Sequence, residues 1–307
     1  MDYPKIYFDE KLHKYTDEYG NVLTSVTTAI GKYVNKFDTD KMARICAKIG
    51  RDPSHAKYHK YKNKTEKQLK KEWEATTNEA LDKGNRKHNY LEDAIKASNN
   101  YKRVKGAFIN DRIFTIPDII SNPSVGIVTL DVLRNHGVDT KYPVVFGLLE
   151  QMVDNGWKLY AEIGVFNSEY LISGLIDLLA VRGNKFFIID WKTNKAPIRF
   201  EAGYFDKDQQ GNLTNTFISK TDTLKYPLHN IPDSTGHKYS LQLSGYAYLT
   251  EFFNMELSGI LLCHIRDVDD VEQVTIHNIK YMKNEIKDLL DHHLSTNKLT
   301  NQSKLFV

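Results

Sequence analysis

Residues 174–195 read GLIDLLAVRGNKFFIIDWKTNK, two short apolar runs around an Arg182-Gly183-Asn184 turn. Runs of this length, bounded by turn residues, predict an antiparallel pair of buried strands. Each run carries a carboxylate, Asp177 in the first and Asp190 in the second, and Lys192 follows two places later. Residues two apart on a strand share a face, so Asp190 and Lys192 project to one side, about 7 Å apart, while Trp191 packs on the other. Counting outward from the turn brings Asp177 opposite Asp190 or one position from it. Two carboxylates in one half-buried pocket repel unless a cation lies between them. Lys192 offers one positive charge. A hard divalent ion offers more, and oxygen ligands favour magnesium or manganese. The plainer alternative is a structural ion pair, Asp190 with Lys192, beside a turn-side Asp177.

The surroundings predict an α/β protein. A helix over 142–155 precedes three strands, KLYAEIGVF, YLISGLIDLLAV and KFFIIDWKT. A helix, SLQLSGYAYLTEFF, follows, then strands SGILLCHIRD and EQVTIHNI and a closing helix, YMKNEIKDLLDHHL. That order suggests a mixed sheet flanked by helices over residues 141–307. Residues 1–140 are expected to wrap onto it as a mostly helical region. They open with the short strands IYFD and LHKYTD, and Thr24 or Ser25 caps a first helix. Leu69, Trp73, Thr77, Leu81, Gly84, His88, Leu91 and Ile95 recur at helical steps and share one face, with Glu92 one turn beyond His88. Gly84 could end that helix or admit a close neighbour. Residues 99–141 read as loop with short helices. Residues 196–237 read as a polar, irregular stretch, long enough to suggest a function of its own.

Charge and cysteines narrow the classes. A net charge of +3 does not by itself demand a nucleic-acid partner. Its distribution is more telling: Lys57, Lys60, Lys62, Lys64, Lys67, Lys70 and Lys71 interleave with Tyr58, His59 and Tyr61, and two further basic clusters follow before residue 106. Either these are solvated helix faces or they form a phosphate-binding surface, with Tyr58 and Tyr61 able to stack on bases. Cys46 and Cys263 cannot alone hold a four-thiolate zinc site or an iron–sulfur cluster. No apolar run is long enough to span a bilayer, and the N-terminus lacks the blocks of a signal peptide. A cytoplasmic location is expected, that of the host cell if the gene is a phage's. No GxxxxGK motif implies ATP.

Four motifs together resemble the PD-(D/E)XK nuclease superfamily, closest to its RecB-like branch of phage exonucleases. GNRKHNYLE resembles the helical first motif, GLID the second, IIDWKT the third and QLSGY the late helical motif. The opening IYFDEKLHKYTDEYG with SVTTAI is also similar to such exonucleases. Ile176 stands where the proline of the superfamily's name would be, and the third motif carries aspartate rather than glutamate.

The resemblance implies a restriction-endonuclease-like core and a DNA nuclease leaving 5′-phosphates, most simply an exonuclease of phage or bacterial replication, recombination or repair. It implies Asp177, Asp190 and Lys192 as catalytic residues. It implies a magnesium or manganese ion held by His88, Asp177, Asp190 and the main-chain carbonyl of Trp191. Gln242, Tyr246, Thr193 and Lys195 would contact substrate. Glu92 and Glu162 are candidate additional acids. Glu92 reads equally as a salt-bridge partner of a lysine, and Glu162 reads as an exposed alternating position. Gln242 and Tyr246 also suit ordinary helix packing. His88 on an apolar stripe, without the motif, would be a core histidine. His292 and His293 read as favourable charges at a helix terminus. DNA is the expected partner, as single strands or duplex ends; a homo-oligomer and contact with replication or recombination proteins stay open. Two other functions stay open: a catalytically inactive DNA-binding module and a structure-specific endonuclease.

Overall fold

The hairpin around Gly183 forms as expected, and the rest of the sheet is assembled on it. The computed structural model describes residues 3–9, 11–12, 14–96, 104–105, 111–208, 212–268 and 271–304. Within these, the side chains at 80, 81, 83–85, 87–89, 96, 104, 105, 111, 268 and 297–304 lie outside the description.

The N-terminal stretch supplies β1 (Ile6–Asp9), β2 (Lys14–Asp17) and β3 (Val22–Ser25). The Ser25 hydroxyl then accepts from the Thr28 N–H and caps α1 (Val26–Gly31). After α2 (Thr39–Ile49) and the single turn α3 (Tyr58–Tyr61), α4 (Glu66–Lys96) continues through Gly84 as one helix. Short elements follow: β4 (Val104–Lys105), β5 (Asp111–Arg112), α5 (Ile116–Ser121), β6 (Ile127–Val128), α6 (Leu130–Asn135) and α7 (Val138–Lys141). Then α8 (Pro143–Asp154) leads into β7 (Lys158–Asn167), β8 (Ile172–Arg182) and β9 (Lys185–Lys192). The chain closes with β10 (Gly203–Lys207), β11 (Leu213–Ser219), α9 (Thr235–Glu251), β12 (Glu256–Val268), β13 (Val271–Asn278) and α10 (Lys283–Lys304).

Eleven of these strands make one mixed sheet, in which β13, β12, β9, β8, β3, β2, β1, β5 and β4 are successive neighbours, while β7 pairs with both β6 and β8. The β9–β12 and β3–β8 pairings are parallel, and β7, β8 and β9 run antiparallel. Because β3 pairs with β8, the N-terminal strands extend the same sheet that holds the hairpin.

The alternation of side chains explains the layering. On β9, Phe186 and Ile188 face a core completed by Val26, Ala29 and Ile30 of α1, Leu241 and Ala247 of α9, and Ile286 and Leu290 of α10. Ile189 and Trp191 face a second core built with Leu91, Ala94 and Ile95 of α4, Leu133 of α6, and Val145 and Leu149 of α8. The fold is therefore a mixed sheet between two helical layers, the architecture expected from the order of elements.

Three expectations are corrected. Residues 196–237 are not wholly irregular, since β10 and β11 pair there as a separate two-stranded sheet. The tetrapeptide Val22–Ser25 is a strand, not only a lead-in to α1; its parallel partner, Ile172–Ser173, lies far away in sequence. Among the described side chains, the stripe of α4 is not buried along its whole length. Leu69 packs with Cys46 and Ala47, and Leu91 and Ile95 enter the second core, whereas Thr77 between them is exposed.

Candidate active site at the fork of the sheet

One edge of β8 has two partners. Its first residues, Ile172 and Ser173, pair with β3, and Leu178 through Arg182 pair with β9, while β7 covers the other edge. Between the two partners, residues 174–177 lie at a fork. The register of the hairpin ends at Leu178 with Ile189, and the next positions outward are Asp177 and Asp190. The two acids therefore meet where β8 and β9 part. In place of a ladder bond, the Trp191 N–H donates to Asp177 Oδ2 at 3.3 Å.

Asp190 is 1% exposed, and Asp177 is half-buried. The Lys192 ammonium lies 2.7 Å from Asp190 Oδ2, as two residues on one strand face allow. Burial on its own would lower the lysine's pKa; Asp190 and then Asp177 outweigh it and hold the ammonium's pKa above the ordinary value. Lys192 thus sits in the site as a cation.

Helix α9 covers the pocket. Tyr239, Gln242 and Tyr246 are spaced by three and four, so they present one face. The Tyr246 ring lies directly against the backbone of Gly174, where any Cβ would collide with it. This close approach accounts for glycine in GLID. Gln242 Nε2 donates to the Tyr246 hydroxyl at 2.9 Å. Burial, opposed by Gln242 and Lys192 and aided by Asp190 and Asp177, pushes the Tyr246 phenol up to about 12. It stays protonated and able to donate. Lys192 Nζ lies over the Tyr239 ring, 5.3 Å from its centroid.

The remaining sequence candidates divide. Glu162 is 5% exposed, not the exposed position that simple alternation predicts. It has φ 52° in the middle of β7, and the β7–β8 register skips it and Asp177 together, between Ala161–Leu178 and Ile163–Ile176. The strand changes face there: Ala161 enters one core and Ile163 the other. A left-handed, buried glutamate opposite Asp177 is a local strain at the fork. Glu92 is half-buried near the end of α4, beside Leu91. The His88 backbone lies in α4, but its side chain is outside the described residues. Thr193 is half-buried and Lys195 exposed, just past β9. Among the described residues, no three His, Cys, Asp or Glu side chains are grouped to hold a metal ion. Two aspartates and a lysine still bring oxygen donors together in a partly buried pocket, the donor type that a hard divalent cation takes.

Several lysines of the first basic cluster have partners within the chain. Lys57 pairs with Asp206 at 3.6 Å and Lys64 with Glu72 at 2.8 Å, while Lys70 pairs with Asp40. Lys60 donates to the Lys207 carbonyl. Tyr61 packs with Cys46, Leu69 and Trp73 rather than standing free for a base. Lys62, Lys67 and Lys71 remain exposed. His292 and His293 are also corrected: α10 runs on to Lys304, so neither lies at its end. His293 is 1% exposed, and burial, then Lys32 and His292, lower its pKa to about 4. It is a neutral core group, not a helix-terminal charge.

Sequence reasoning missed Tyr239, Asn194 and His264. The available signal for Tyr239 was its place three residues before Gln242. His264 carried none, because only the parallel β9–β12 register sets it beside Lys192.

Fold and site together define an α/β protein whose mixed sheet forks at a pair of acids flanked by a lysine. Comparison with protein-family models gives no match, and comparison with curated proteins gives none either. Among the described residues no helix is long and apolar enough to cross a membrane.

Proposed function

We propose that this chain is a metal-dependent deoxyribonuclease of the PD-(D/E)XK type, with a restriction-endonuclease-like core. Its reaction is hydrolysis of phosphodiester bonds to leave 5′-phosphates, as an exonuclease of DNA replication, recombination or repair. The observation that carries this reading is the meeting of Asp177 and Asp190 at the fork, with the Lys192 ammonium 2.7 Å from Asp190.

Asp177, Asp190 and the Trp191 carbonyl would hold magnesium or manganese, with His88 as the further ligand the motif implies. The bound ion supplies Lewis-acid polarisation of the phosphate and a more acidic water. The protein's own groups do the rest. Lys192, kept charged by its two acids, orients the attacking water and offsets charge developing on the phosphate. Tyr246, braced by Gln242, offers its O–H to a phosphate oxygen. Thr193 and Lys195 follow the strand end, where the backbone of a bound strand would pass.

The test is digestion of 5′- and 3′-end-labelled duplex, single-stranded and circular DNA with added magnesium or manganese. Ends should be consumed, circles spared, and cleavage lost on chelation and in folded Lys192→Ala. Cleavage by Lys192→Ala at the wild-type rate would refute the assignment. A second reading is a DNA-binding module with an incomplete site. DNA binding without cleavage under every metal condition would select it.

A further inference from the structure

Lys192 is the last residue of β9 and the last one paired to β12, opposite His264. Beyond it no ladder holds the main chain, so another device must keep the lysine's backbone from swinging. Asn194 supplies the anchor points. Its carbonyl lies 2.9 Å from His264 Nε2, and a carbonyl only accepts, so the imidazole proton sits on Nε2. Its side-chain Oδ1 accepts from the Tyr239 hydroxyl at 3.1 Å. Its Nδ2 donates to the Ala196 carbonyl at 2.6 Å and closes the turn. Tyr239 comes from α9 and its ring also underlies the Lys192 ammonium. His264 is 3% exposed on the neighbouring strand.

We infer that Asn194, gripped by Tyr239 of α9 and His264 of β12, is the positioning residue that aims Lys192, with His264 acting through it. The inference rests on the nuclease reading, because that reading gives Lys192 its task. The three bonds come from three separate elements, α9, β12 and the turn itself, and they converge two residues past the lysine. They replace the lost ladder at the point where the side chain must be held to a fraction of an ångström. His264 bonds the Asn194 carbonyl and so acts through the main chain.

The test is steady-state cleavage of a short end-labelled DNA with manganese, by wild type, His264→Leu, His264→Gln, Asn194→Ala and Lys192→Ala. Misplacing a reacting group by about 1 Å costs on the order of 100-fold, so His264→Leu and Asn194→Ala should lower kcat about 10- to 100-fold. KM should rise less than kcat falls, since Gln242 and Tyr246 stay in place while Thr193 and Lys195 flank the loosened turn. His264→Gln, whose amide N–H can reach the Asn194 carbonyl, should recover most of the loss. A residue needed only for packing would not be rescued in this way. If His264→Leu does not fold, Asn194→Ala, at a half-buried turn, carries the same measurement. Wild-type kcat in a folded His264→Leu or Asn194→Ala protein overturns the inference and leaves the nuclease reading intact. Equal losses in the Leu and Gln variants do the same. A wild type without metal-dependent cleavage removes the nuclease reading and this inference with it.

Discussion

The aromatic ring of Tyr246 on α9 occupies the space that a side chain on residue 174 of β8 would need, so helix and strand touch through a glycine. This contact sets how deeply α9 settles over Asp177, Asp190 and Lys192. Adding even a methyl group must push the ring, and with it the Gln242–Tyr246 hydrogen bond, out of place. Gly174→Ala should lower stability by about 1–3 kcal/mol, the usual cost of overpacking, read from urea midpoints at constant m. Cleavage should fall further than stability does, because Tyr246 is displaced from the site.

Metal should stabilise the fold through the two acids. A ligand at about 100 times its Kd adds about 2.7 kcal/mol to folding. Wild-type Tm should therefore rise with manganese or magnesium and fall back on chelation. Asp177→Asn and Asp190→Asn should each abolish most of that rise. An equal rise in both variants would place the ion elsewhere.

The pH dependence of stability should carry the mark of His293. Its folded pKa, about 4, is below the ordinary histidine value of 6.5, so the folded state binds fewer protons than the unfolded one. The contribution is intact above 6.5 and is lost as pH falls from 6.5 toward 4. Lys32 Nζ, 3.4 Å from His293 Nδ1, opposes protonation further. The loss amounts to at most about 3.4 kcal/mol, taking 1.36 kcal/mol per pKa unit. His293→Leu should flatten the slope of unfolding free energy between pH 6.5 and 4. An unchanged slope would show that another group titrates there.

The basic helices should contribute to DNA binding unevenly. Replacing the exposed Lys62, Lys67 and Lys71 together by Gln should weaken binding and reduce the salt slope by up to about 0.7–0.9 per lysine lost from phosphate contact. Lys64→Gln and Lys70→Gln, whose side chains are engaged with Glu72 and Asp40, should change it less. Fluorescence anisotropy of labelled DNA across a salt series measures both. Equal slopes for the two sets would mean the internal ion pairs open on binding.

Much of the architecture was legible because its signals are local. The apolar runs around Gly183 predict the hairpin, and the steps of three and four in QLSGY put Gln242 and Tyr246 on one helical face. The strands β3, β10 and β11 were not legible. β3 is only four residues long, and it is fixed by pairing with β2 on one edge and with Ile172 and Ser173 of β8 on the other. The lysines of the first basic cluster looked free because their partners, Asp206, the Lys207 carbonyl and Asp40, lie on other elements.

Side-chain periodicity alone, then, determined that Asp190 and Lys192 share a face and that Asp177 lies across the turn from them. Both follow from covalent spacing along an extended chain. Only the tertiary structure decided that β8 forks there, that Glu162 is buried with a left-handed backbone inside β7, and that His264 and Tyr239 converge on Asn194. Those relations depend on which distant strands and helices pack together, and pairing energies of that kind are spread over the whole sheet rather than written in any one segment.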